Sequence, residues 1–408
     1  MTANGETEKV DAIIVGGGLI GLSTAIALAQ NQMRVAVVDR QPLDATQTPA
    51  FDGRATAVAY ASQRLFDALG VWPHLAPVAQ PILEIRVSDG PSLMHLHFDH
   101  QDLGDDPLGF LVENRFLRRG LARRAEALPD LTVLAPESIS AVSRGVSDST
   151  VTLASGRTMT APVLLACDGR GSTLRRDAGI DVTSWTYDQT AVVATMEHSL
   201  PHCGIAHERF LPDGPFAILP LTGHRASLVW TVPTAKAKAI MDLGPRGFDT
   251  EVSARVGGFL GDVSTLPRRW SYPLGLHLAE RFTDRRLALV GDAAHGIHPI
   301  AGQGFNLGLR DVAALVEVLV DAHRLGLDLG SAQVLDTYER WRRTDSLVLA
   351  GVTDVLNRLF SNDFAPVRLS RDIGLAAVNR MGPLKKFFMR QARGSIGARP
   401  RLLDGQAL

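Results

Sequence analysis

Three glycines near the amino terminus constrain this chain more than any other feature. Gly16, Gly18 and Gly21 form the pattern G-x-G-x-x-G between the apolar run Asp11–Val15 and the small-residue segment Leu19–Gln30. The run predicts a strand buried on both faces, and the segment predicts a helix. The first glycine permits a tight turn, the second admits a phosphate to the backbone, and the third lets helix and strand pack closely. The pattern therefore predicts a dinucleotide site at a helix N-terminus.

An acidic residue completes the pattern at the end of the next buried strand. That strand is predicted at Arg34–Val38, and Asp39 follows it directly. Two such strands with a helix between them indicate a parallel sheet. A carboxylate at this position accepts hydrogen bonds from ribose hydroxyls and disfavours a phosphorylated ribose, so the segment favours FAD or NAD over NADP.

Two further buried strands end in aspartate and glycine. Val163–Cys167 leads into Asp168 and Gly169, and Leu287–Val290 is followed closely by Asp292. Ligands of open α/β sheets bind at the carboxyl ends of the strands. Both segments are therefore predicted to contribute to the same kind of site as the glycine turn.

The middle of the chain has a different pattern of apolar and turn residues. Evenly spaced strand candidates with turn residues between them indicate an antiparallel sheet, at Ala191–Met196, Ala206–Leu211, Phe216–Leu221 and Ala226–Val232. A hairpin is predicted earlier, with strands Ile82–Val87 and Leu93–Phe98 joined across Asp89-Gly90. Helices are predicted at Phe248–Leu260, Leu307–Leu325 and Ala332–Phe360. The expected fold class is α/β with the antiparallel sheet inserted.

Composition excludes several classes of protein. Lys and Arg number 42 against 43 Asp and Glu, a net charge of −1, which argues against nucleic-acid binding. Two cysteines, Cys167 and Cys203, cannot form a disulfide framework, which suits a reducing cytoplasm. Residues 1–10 lack the apolar core of a signal peptide, and the glycines within Ala12–Ala29 argue against a transmembrane helix. We therefore expect a soluble, cytoplasmic protein.

One histidine pattern is set aside. His95, His97 and His100 form H-x-H-x-x-H on a predicted strand, with Asp99 as the one neighbouring carboxylate. Metal sites require a fuller set of ligands, so we interpret the segment as a polar hairpin face and predict no metal site.

The three strand-end motifs together resemble a known family. The glycine turn, Asp168-Gly169 and Gly291-Asp292 occur in the order found in class A flavin-dependent aromatic monooxygenases, the para-hydroxybenzoate hydroxylase-like family. The segment His298–Asp311 resembles the signature of the ubiquinone-biosynthesis hydroxylases within it. Other segments resemble that subgroup too: Glu113-Asn114, Arg209–Pro215, Leu219–Leu221, Tyr338–Asp345 and Pro383–Lys386. Arg393-Gly394 departs from the Met-Gly pair usual there.

The resemblance implies a domain organisation. It comprises a Rossmann-like FAD-binding domain, an inserted antiparallel β-sheet substrate domain and C-terminal helices. The FAD-binding domain would take residues 1–78, 101–183 and 276–360. The substrate domain would take 79–100 and 184–275, and residues 361–408 would form a C-terminal helical segment.

The resemblance also implies which residues bind the cofactor. Asp292 would hold the ribityl chain, Pro299 would lie near the flavin ring, and a helix start at Gly302 would present backbone N–H groups to the pyrimidine end of the flavin. Asp168 would serve FAD and NAD(P)H, with a helix-capping role as the alternative, and Arg54 would lie near the phosphates or on the surface. The full set is Gly16, Gly18, Gly21, Asp39, Arg54, Asn114, Asp168, Gly169, Asp292, Pro299, Gly302, Gln303, Gly304 and Asn306.

The implied reaction is hydroxylation of the aromatic ring of a prenylated phenol in ubiquinone biosynthesis. NAD(P)H would reduce FAD, and dioxygen would react through a flavin C4a-hydroperoxide. A base that deprotonates the phenol would help, and the candidates are His295, His298, Tyr187 and His207, with a structural role as the alternative for each histidine. The apolar residues expected to line the substrate are Phe216, Leu219, Pro220 and Trp230.

Two other functions and two roles for the tail stay open at this point. The same fold could act on a soluble aromatic acid, or serve as a non-catalytic flavin-fold subunit of a biosynthetic complex. The tail from Pro383 to Leu408 holds six Lys or Arg and one Asp, beside Phe387 and Phe388. It could touch an anionic membrane surface, which would make the protein peripheral to the inner membrane, or pack on a partner subunit.

Overall fold

The fold is taken from a computed structural model that describes residues 7–43, 53–89, 95–296, 302–360, 381–394 and 399–408. In chain order its strands are β1 (Glu8–Lys9), β2 (Ala12–Val15), β3 (Val35–Val38), β4 (Ala55–Ala59), β5 (Gln80–Ile82), β6 (Glu84–Asp89), β7 (His95–Asp99), β8 (Gly109–Glu113), β9 (Leu131–Leu134), β10 (Ile139–Arg144), β11 (Ser149–Leu153), β12 (Thr158–Ala161), β13 (Val163–Ala166), β14 (Val182–His198), β15 (Ile205–Leu211), β16 (Gly214–Leu221), β17 (Arg225–Pro233), β18 (Val263–Ala279), β19 (Thr283–Asp284), β20 (Leu287–Leu289) and β21 (His295–Gly296).

The α-helices follow the same order. They are α1 (Leu19–Ala29), α2 (Tyr60–Ala68), α3 (Trp72–Leu75), α4 (Asn114–Glu126), α5 (Thr173–Asp177), α6 (Thr234–Met241), α7 (Pro245–Val256), α8 (Gln303–Arg324), α9 (Ala332–Phe360) and α10 (Gly382–Ala392). Within the described ranges, no helix combines the length and apolarity needed to cross a bilayer.

A six-stranded sheet forms the centre of the α/β part of the fold. Its strand order is β19-β20-β13-β2-β3-β9, and every pairing is parallel except that of β19 with β20. The residues of β13 and β3 are buried throughout, as expected for strands covered on both faces. Helix α1 is buried from Gly21 to Ala29, because its small side chains let it lie close to the sheet. The parallel α/β arrangement predicted from the sequence is therefore confirmed.

A second sheet of eight strands has the order β21-β18-β14-β17-β16-β15-β6-β7. The four predicted strands of the middle segment belong to it, and β6 pairs antiparallel with β7, as a hairpin requires, with Ser88 opposite His95; residues 90–94 lie outside the described ranges. The four strands predicted in the middle segment pair antiparallel with one another, as expected, and β15 also runs parallel to β6. Strand β18, with 17 residues, was not predicted.

The two faces of the eight-stranded sheet are covered differently. One face packs on α6 and α7 around a core that includes Phe216, Trp230 and Phe248. The other packs on the three-stranded sheet β4-β8-β5 and on Met389 of α10. Phe216 and Trp230 were expected to line the substrate, and that expectation is wrong because both point into the helix-covered core. Leu219 packs with the second face.

A small four-stranded sheet, β1-β12-β11-β10, lies at the edge of the parallel system. The predicted helix at residues 307–325 begins four residues earlier than expected, at Gln303, and the predicted helix at 332–360 is confirmed. Of the predicted C-terminal segment, residues 361–380 and 395–398 lie outside the described ranges. Helix α10 is the described part of it.

Candidate cofactor-binding site

The three motifs meet at one edge of the parallel sheet. Strands β20, β13, β2 and β3 are neighbours and run in the same direction, so the residues that follow them lie side by side. Backbone hydrogen bonds continue across the strand ends from Val290 N to Ala166 O (3.0 Å), Cys167 N to Val15 O (2.8 Å) and Gly16 N to Val38 O (2.9 Å). The edge therefore carries all the predicted motifs in one row.

The glycine turn lies in the middle of this row, and its three glycines differ in their surroundings. A Cβ on Gly16, whose φ is +104°, would lie 2.4 Å from Cys167 O, and one on Gly21 would lie 1.8 Å from Gly16 O. A Cβ on Gly18 would meet no atom of the described residues within 4 Å. Packing thus requires the first and third glycines, whereas the second faces open space at the start of α1.

Asp39 fixes the shape of the turn. Its Oδ2 accepts a hydrogen bond from Gly17 N at 2.5 Å, and its Oδ1 accepts one from Gln41 N at 2.7 Å. The carboxylate is half-buried, so it retains exposed surface beside the turn. A carboxylate oxygen can accept a second hydrogen bond, which leaves capacity for a ligand hydroxyl.

Asp168 combines a structural contact with an unpaired atom. Its Oδ2 accepts hydrogen bonds from Thr173 N (2.8 Å) and the Thr173 hydroxyl (3.2 Å), which caps helix α5. Its Oδ1 is buried and has no hydrogen-bond partner among the described residues. Gly169 follows with open space where a Cβ would project. The capping interpretation is confirmed for one oxygen, and the other has no partner in the described part of the chain.

Asp292 presents its side chain outward from a buried segment. Gly291 and Ala293 on either side of it are buried, while Asp292 is exposed. Its carbonyl oxygen accepts a hydrogen bond from His277 Nε2 at 2.8 Å, which fixes the backbone. Burial lowers the pKa of His277, and its Nδ1 is buried with no partner among the described residues. The imidazole is therefore a neutral brace beneath the exposed carboxylate.

Helix α8 begins at this edge without a side-chain cap. Gly302 precedes it with φ +62°, and a Cβ there would lie 3.1 Å from the Cβ of Ala57. A Cβ on Gly304 would meet no described atom within 4 Å. The first turn, which starts at Gln303 and has no side-chain cap, thus directs the positive end of the helix dipole to a place left open by the described residues.

Asn306 holds the helix start in place. Its Nδ2 donates to Ala57 O (2.8 Å) and Gly302 O (3.2 Å), and its Oδ1 accepts from Ala59 N (2.8 Å). The side-chain amide is therefore committed to protein atoms, and Asn306 positions the helix against β4. His298 and Pro299 lie outside the described ranges.

Arg54 and Asn114 border the same region through β4. Asn114 N donates to Arg54 O (3.0 Å), and the Thr56 hydroxyl donates to Asn114 Oδ1 (2.6 Å). Arg54 is exposed and Asn114 begins helix α4. The structure thus brings both residues onto the strand that supports the start of α8.

The candidate base His295 belongs to a buried ionic network. His295 is 2% exposed, and its Nε2 lies 2.6 Å from Asp311 Oδ2. Arg342 Nε donates to Asp311 Oδ1 (2.8 Å), and Arg342 also binds Asp345 (2.6 Å). Burial alone would raise the pKa of Asp311, but His295 and Arg342 outweigh it and hold that pKa below its usual range. These contacts favour the structural role for His295.

The segment Tyr338–Asp345, which contains Arg342, has a structural role in the same region. The Tyr338 hydroxyl donates to Leu289 O (2.7 Å), and Glu339 Oε2 accepts from Thr283 N (3.1 Å). Together with Arg342, these contacts fasten α9 to the end of β20. The segment therefore supports the strand that leads into Asp292.

The other two candidate bases lie on the eight-stranded sheet. Tyr187 packs with Leu276 and with Leu307 of the first turns of α8, which keeps it near the cofactor edge. The ring of His207 lies 4.4 Å from that of Phe259, on the helix-covered face. His207 therefore points away from the edge.

Two contacts at the site were missed in the sequence. The ring of Trp270 lies against Gly53, since a Cβ there would fall 1.8 Å from the indole. Glu113 accepts from Arg225 (2.8 Å) and pairs with Arg115 (2.7 Å), which ties the eight-stranded sheet to β8. The first contact was missed because Trp270 belongs to β18, a strand that was not predicted. The second was missed because no local sequence pattern indicates that Glu113 pairs with Arg225.

The polar hairpin face contains a group of possible metal ligands. Ligand atoms of Glu84, His97 and Asp99 lie within 4.8 Å of one another. His97 Nε2 is 2.9 Å from Glu84 Oε2, and Arg86 donates to the same oxygen at 2.7 Å. The arginine makes this an ion-pair cluster in its own right, and the absence of a metal site stays a prediction.

Comparison with known proteins adds a family and a fold. Residues 9–347 match the family model described as FAD binding domain. The chain is 48% identical over 408 residues to the ubiquinone hydroxylase UbiL of Rhodospirillum rubrum, covering 99% of this chain and 95% of the relative. It is 34% identical to the 3-demethoxyubiquinol 3-hydroxylase of Escherichia coli, covering 95% and 99%. The crystal structure of p-nitrophenol 4-monooxygenase from Pseudomonas putida superposes with a TM-score of 0.81 at 19% identity, covering 96% and 100%.

Proposed function

Because this chain belongs to the FAD-binding family of class A flavin monooxygenases, in its ubiquinone-biosynthesis subgroup, we propose that it hydroxylates the aromatic ring of a prenylated phenol on the way to ubiquinone. The family, the fold and the cofactor predicted from the sequence are confirmed: the chain is an FAD-dependent oxidoreductase, for which NAD(P)H is the reductant. The observation that carries the proposal is the 48% identity to a ubiquinone hydroxylase along essentially the whole chain.

The residues at the carboxyl edge of the parallel sheet fit FAD. The open space beyond Gly18 lies at a helix N-terminus, where a pyrophosphate is stabilised. The unpaired Oδ1 of Asp168 and the exposed carboxylate of Asp292 can accept hydrogen bonds from hydroxyl groups of the cofactor. The open space at Gly304 admits a flat ring to the start of α8. We infer that FAD lies along this edge, with its adenine end at the glycine turn.

When bound, FAD supplies activation of dioxygen with electrons from NAD(P)H and delivery of one oxygen atom to the ring. The protein has to hold the phenol against the cofactor and keep water away. The second face of the eight-stranded sheet suits this task, because Leu219, Ala206 and Phe98 pack there with residues of β4 and β8. The first turn of α8 stabilises negative charge on the reduced ring.

The substrate assignment is tested with purified protein. The protein is loaded with FAD and given NAD(P)H, isotopically labelled dioxygen and either a geranylated phenol or para-hydroxybenzoate. We expect the geranylated phenol to stimulate NAD(P)H oxidation and to gain one labelled oxygen atom per NAD(P)H consumed. Labelled product from para-hydroxybenzoate alone would favour the soluble-acid alternative. No flavin retention and no product from either phenol would favour a non-catalytic subunit.

We further propose that helix α10 brings the protein to an anionic membrane surface, where prenylated substrates reside. Phe387 and Phe388 are 52% and 40% exposed, and Lys386 and Arg390 beside them are exposed as well. Met389 is 1% exposed and anchors the helix in the protein, whereas Phe387, Phe388 and the neighbouring cations stay exposed. Exposed aromatics flanked by cations are the pattern of an interfacial helix.

The membrane proposal is tested by co-sedimentation with vesicles of phosphatidylethanolamine and phosphatidylglycerol. The double variant Phe387→Ser, Phe388→Ser should bind vesicles on the order of tenfold more weakly than the parent protein. The matched control is Leu325→Ser, which removes an apolar side chain that is 74% exposed elsewhere. Equal binding by all three proteins, or no binding by the parent, would contradict the proposal and leave a partner subunit as the occupant of this face.

A further inference from the structure

We propose that Glu208 is the base that takes the proton from the phenol during hydroxylation, a role that rests on the proposed function. Glu208 lies in β15, and none of the bases considered from the sequence shares its position. The assignment follows from the face of the sheet that it occupies, from its lack of a partner and from its surroundings.

The register of β15 and β16 fixes the direction of the side chain. His207 pairs with Ile218 and Arg209 pairs with Phe216, and both partners belong to the helix-covered core. Arg209 confirms this face, since it donates to Val256 O (3.1 Å) at the end of α7. Successive side chains of a strand point to opposite faces, so Glu208 lies on the second face.

The second face looks toward the cofactor edge. Ala206, which is two residues from Glu208 and shares its face, packs in a cluster with Ala55 and Ala57 of β4. Ala57 is the residue whose Cβ lies against Gly302 at the start of α8, and its carbonyl binds Asn306. The face that carries Glu208 is therefore one layer away from the helix start proposed to hold the flavin ring.

Nothing in the described part of the chain pairs with the Glu208 carboxylate. Its neighbours in register are Ala217 on β16 and Val87 on β6, both apolar. The residue is half-buried, so part of its surface borders a space rather than packed atoms. Desolvation by the surrounding protein raises its pKa to about 7. A carboxylate in apolar surroundings with no partner is a stronger base than an exposed one.

Two basic groups around this face, Arg225 and Lys385, are already paired with acidic residues. Arg225 shares the face on β17 and is bound to Glu113 of β8 (2.8 Å). Lys385 of α10 is paired with Asp102 (2.7 Å). Asp89 on β6, Glu197 on β14 and Tyr272 on β18 also project from this face by register. Glu208 differs from the paired groups in having its carboxylate available.

Glu208 first accepts the proton of the phenol and later returns it. As the ring carbon gains the oxygen atom, the phenol O–H bond breaks, its electron pair enters the ring, and the proton moves to a Glu208 carboxylate oxygen. The ring C–H proton then passes to the second oxygen atom of dioxygen, which leaves as water, and Glu208 returns its proton to the phenol oxygen of the restored aromatic ring. The oxygen atom and the two electrons come from dioxygen and NAD(P)H, which the oxidoreductase already uses.

The test compares the parent enzyme with Glu208→Gln, Glu208→Asp and the matched control Glu251→Gln, which alters an exposed glutamate on α7. The probe is the geranylated phenol, with calorimetry for its binding and product analysis for its hydroxylation. We expect Glu208→Gln to lower kcat on the order of 100-fold while the dissociation constant of the phenol changes less than about threefold. Glu208→Asp should recover part of the rate, and the control should match the parent.

The pH profile supplies a readout that a structural role would not move. In the parent, kcat should rise as the pH passes through about 7, because the carboxylate must be ionised to act as a base. Glu208→Gln should lose this rise and recover activity only toward pH values near 10, where a free phenol ionises by itself.

The outcomes separate two kinds of failure. A parent enzyme that yields no hydroxylated phenol would overturn the proposed function. A productive parent whose rate and pH profile are unchanged in Glu208→Gln would overturn the role of Glu208 alone. A kcat that falls equally in Glu208→Gln and Glu208→Asp, with the rise near pH 7 retained, would show that Glu208 only shapes the pocket.

Discussion

Helix α8 passes through two regions that differ in whether their polar groups have hydrogen-bond partners within the protein. At its start, a Cβ on Gly304 would meet no atom of the described residues within 4 Å, and the first turn has no side-chain cap. Two turns later, Asp311 is 0% exposed, and its oxygens bind His295, Arg342 and Gly291 N. The first region is left uncapped, whereas in the second both oxygens of the Asp311 carboxylate are paired.

This difference teaches how scaffold and site can be told apart. A buried charge is tolerated only when neighbouring groups complete its hydrogen bonds, as they do around Asp311. A buried polar atom with no partner among the described residues, such as Asp168 Oδ1, is explained when a ligand completes its hydrogen bond. We therefore expect changes in the paired region to act on stability and changes in the open region to act on cofactor affinity.

The largest effect is expected from Asp311→Asn. The substitution leaves the guanidinium of Arg342 and the ring of His295 without their shared carboxylate in a buried site. Removing one partner of a buried ionic group costs about 3–5 kcal/mol. Chemical denaturation of the protein without cofactor should show this loss, whereas the exposed control Asp336→Asn should stay within about 0.5 kcal/mol of the parent.

The difference in unfolding free energy between the parent and Asp311→Asn is predicted to depend on pH. Since the folded-state pKa of Asp311 is lowered, its contribution is present above the ordinary aspartate value and is lost as the pH falls through the lowered one. The gap in unfolding free energy between the parent and Asp311→Asn should therefore narrow below about pH 4. A gap that stays constant down to the acid transition would contradict the pairing described here.

The second effect concerns Gly18→Val. The backbone of Gly18 has φ −70°, which valine adopts readily, so the only consequence is a side chain in the open space at the turn. We expect FAD affinity to fall on the order of 100-fold, about 2.7 kcal/mol, with little change in the stability of the protein without cofactor. Fluorescence titration with FAD measures the affinity.

Gly244→Val is a matched control for Gly18→Val. Gly244 also precedes a helix and has φ −63°, and a Cβ there would meet no atom of the described residues within 4 Å. It lies on the helix-covered side of the eight-stranded sheet, away from the proposed cofactor. If both variants bind FAD as the parent does, the space beyond Gly18 is not where the pyrophosphate lies.

The smallest effect is expected from Asp292→Ala. The exposed carboxylate would lose hydrogen bonds to cofactor hydroxyls, and a hydrogen bond to a charged group contributes about 1.5–3 kcal/mol. FAD affinity should therefore fall roughly tenfold to 100-fold while unfolding of the protein without cofactor is unaffected. Affinity equal to that of the parent would remove Asp292 from the site, and Asp336→Ala serves as the control for loss of a surface charge.

The sequence predicted that the motifs meet at one edge of the parallel sheet, because its signals are local. Each motif follows an apolar strand directly, and parallel strands place the residues after them at one edge. The long strand β18 was missed because Pro267, Arg268 and Arg269 interrupt its apolar pattern; the first two are exposed on the sheet, and Arg269 is half-buried over the ring of Phe248. Its pairing with β14 is set by tertiary contacts rather than by propensity.

The sequence could not predict which face of the sheet is covered by helices, nor which residue is the base. The reason is the same in both cases. Alternation shows that His207 and Glu208 point to opposite faces but does not say which face is covered by helices. His295 resembles a catalytic residue until Asp311 and Arg342, which are distant in sequence, are seen to surround it. Pairing across the fold, and not residue type, distinguishes the two roles.

The most direct test of the central claim is a crystal structure of the protein grown with FAD. We predict density for the dinucleotide along the ends of β2, β13 and β20, with the pyrophosphate beside Gly18 and the flavin ring over the first turn of α8. Density for FAD elsewhere on the protein, or protein side chains filling the spaces beyond Gly18 and Gly304, would contradict it.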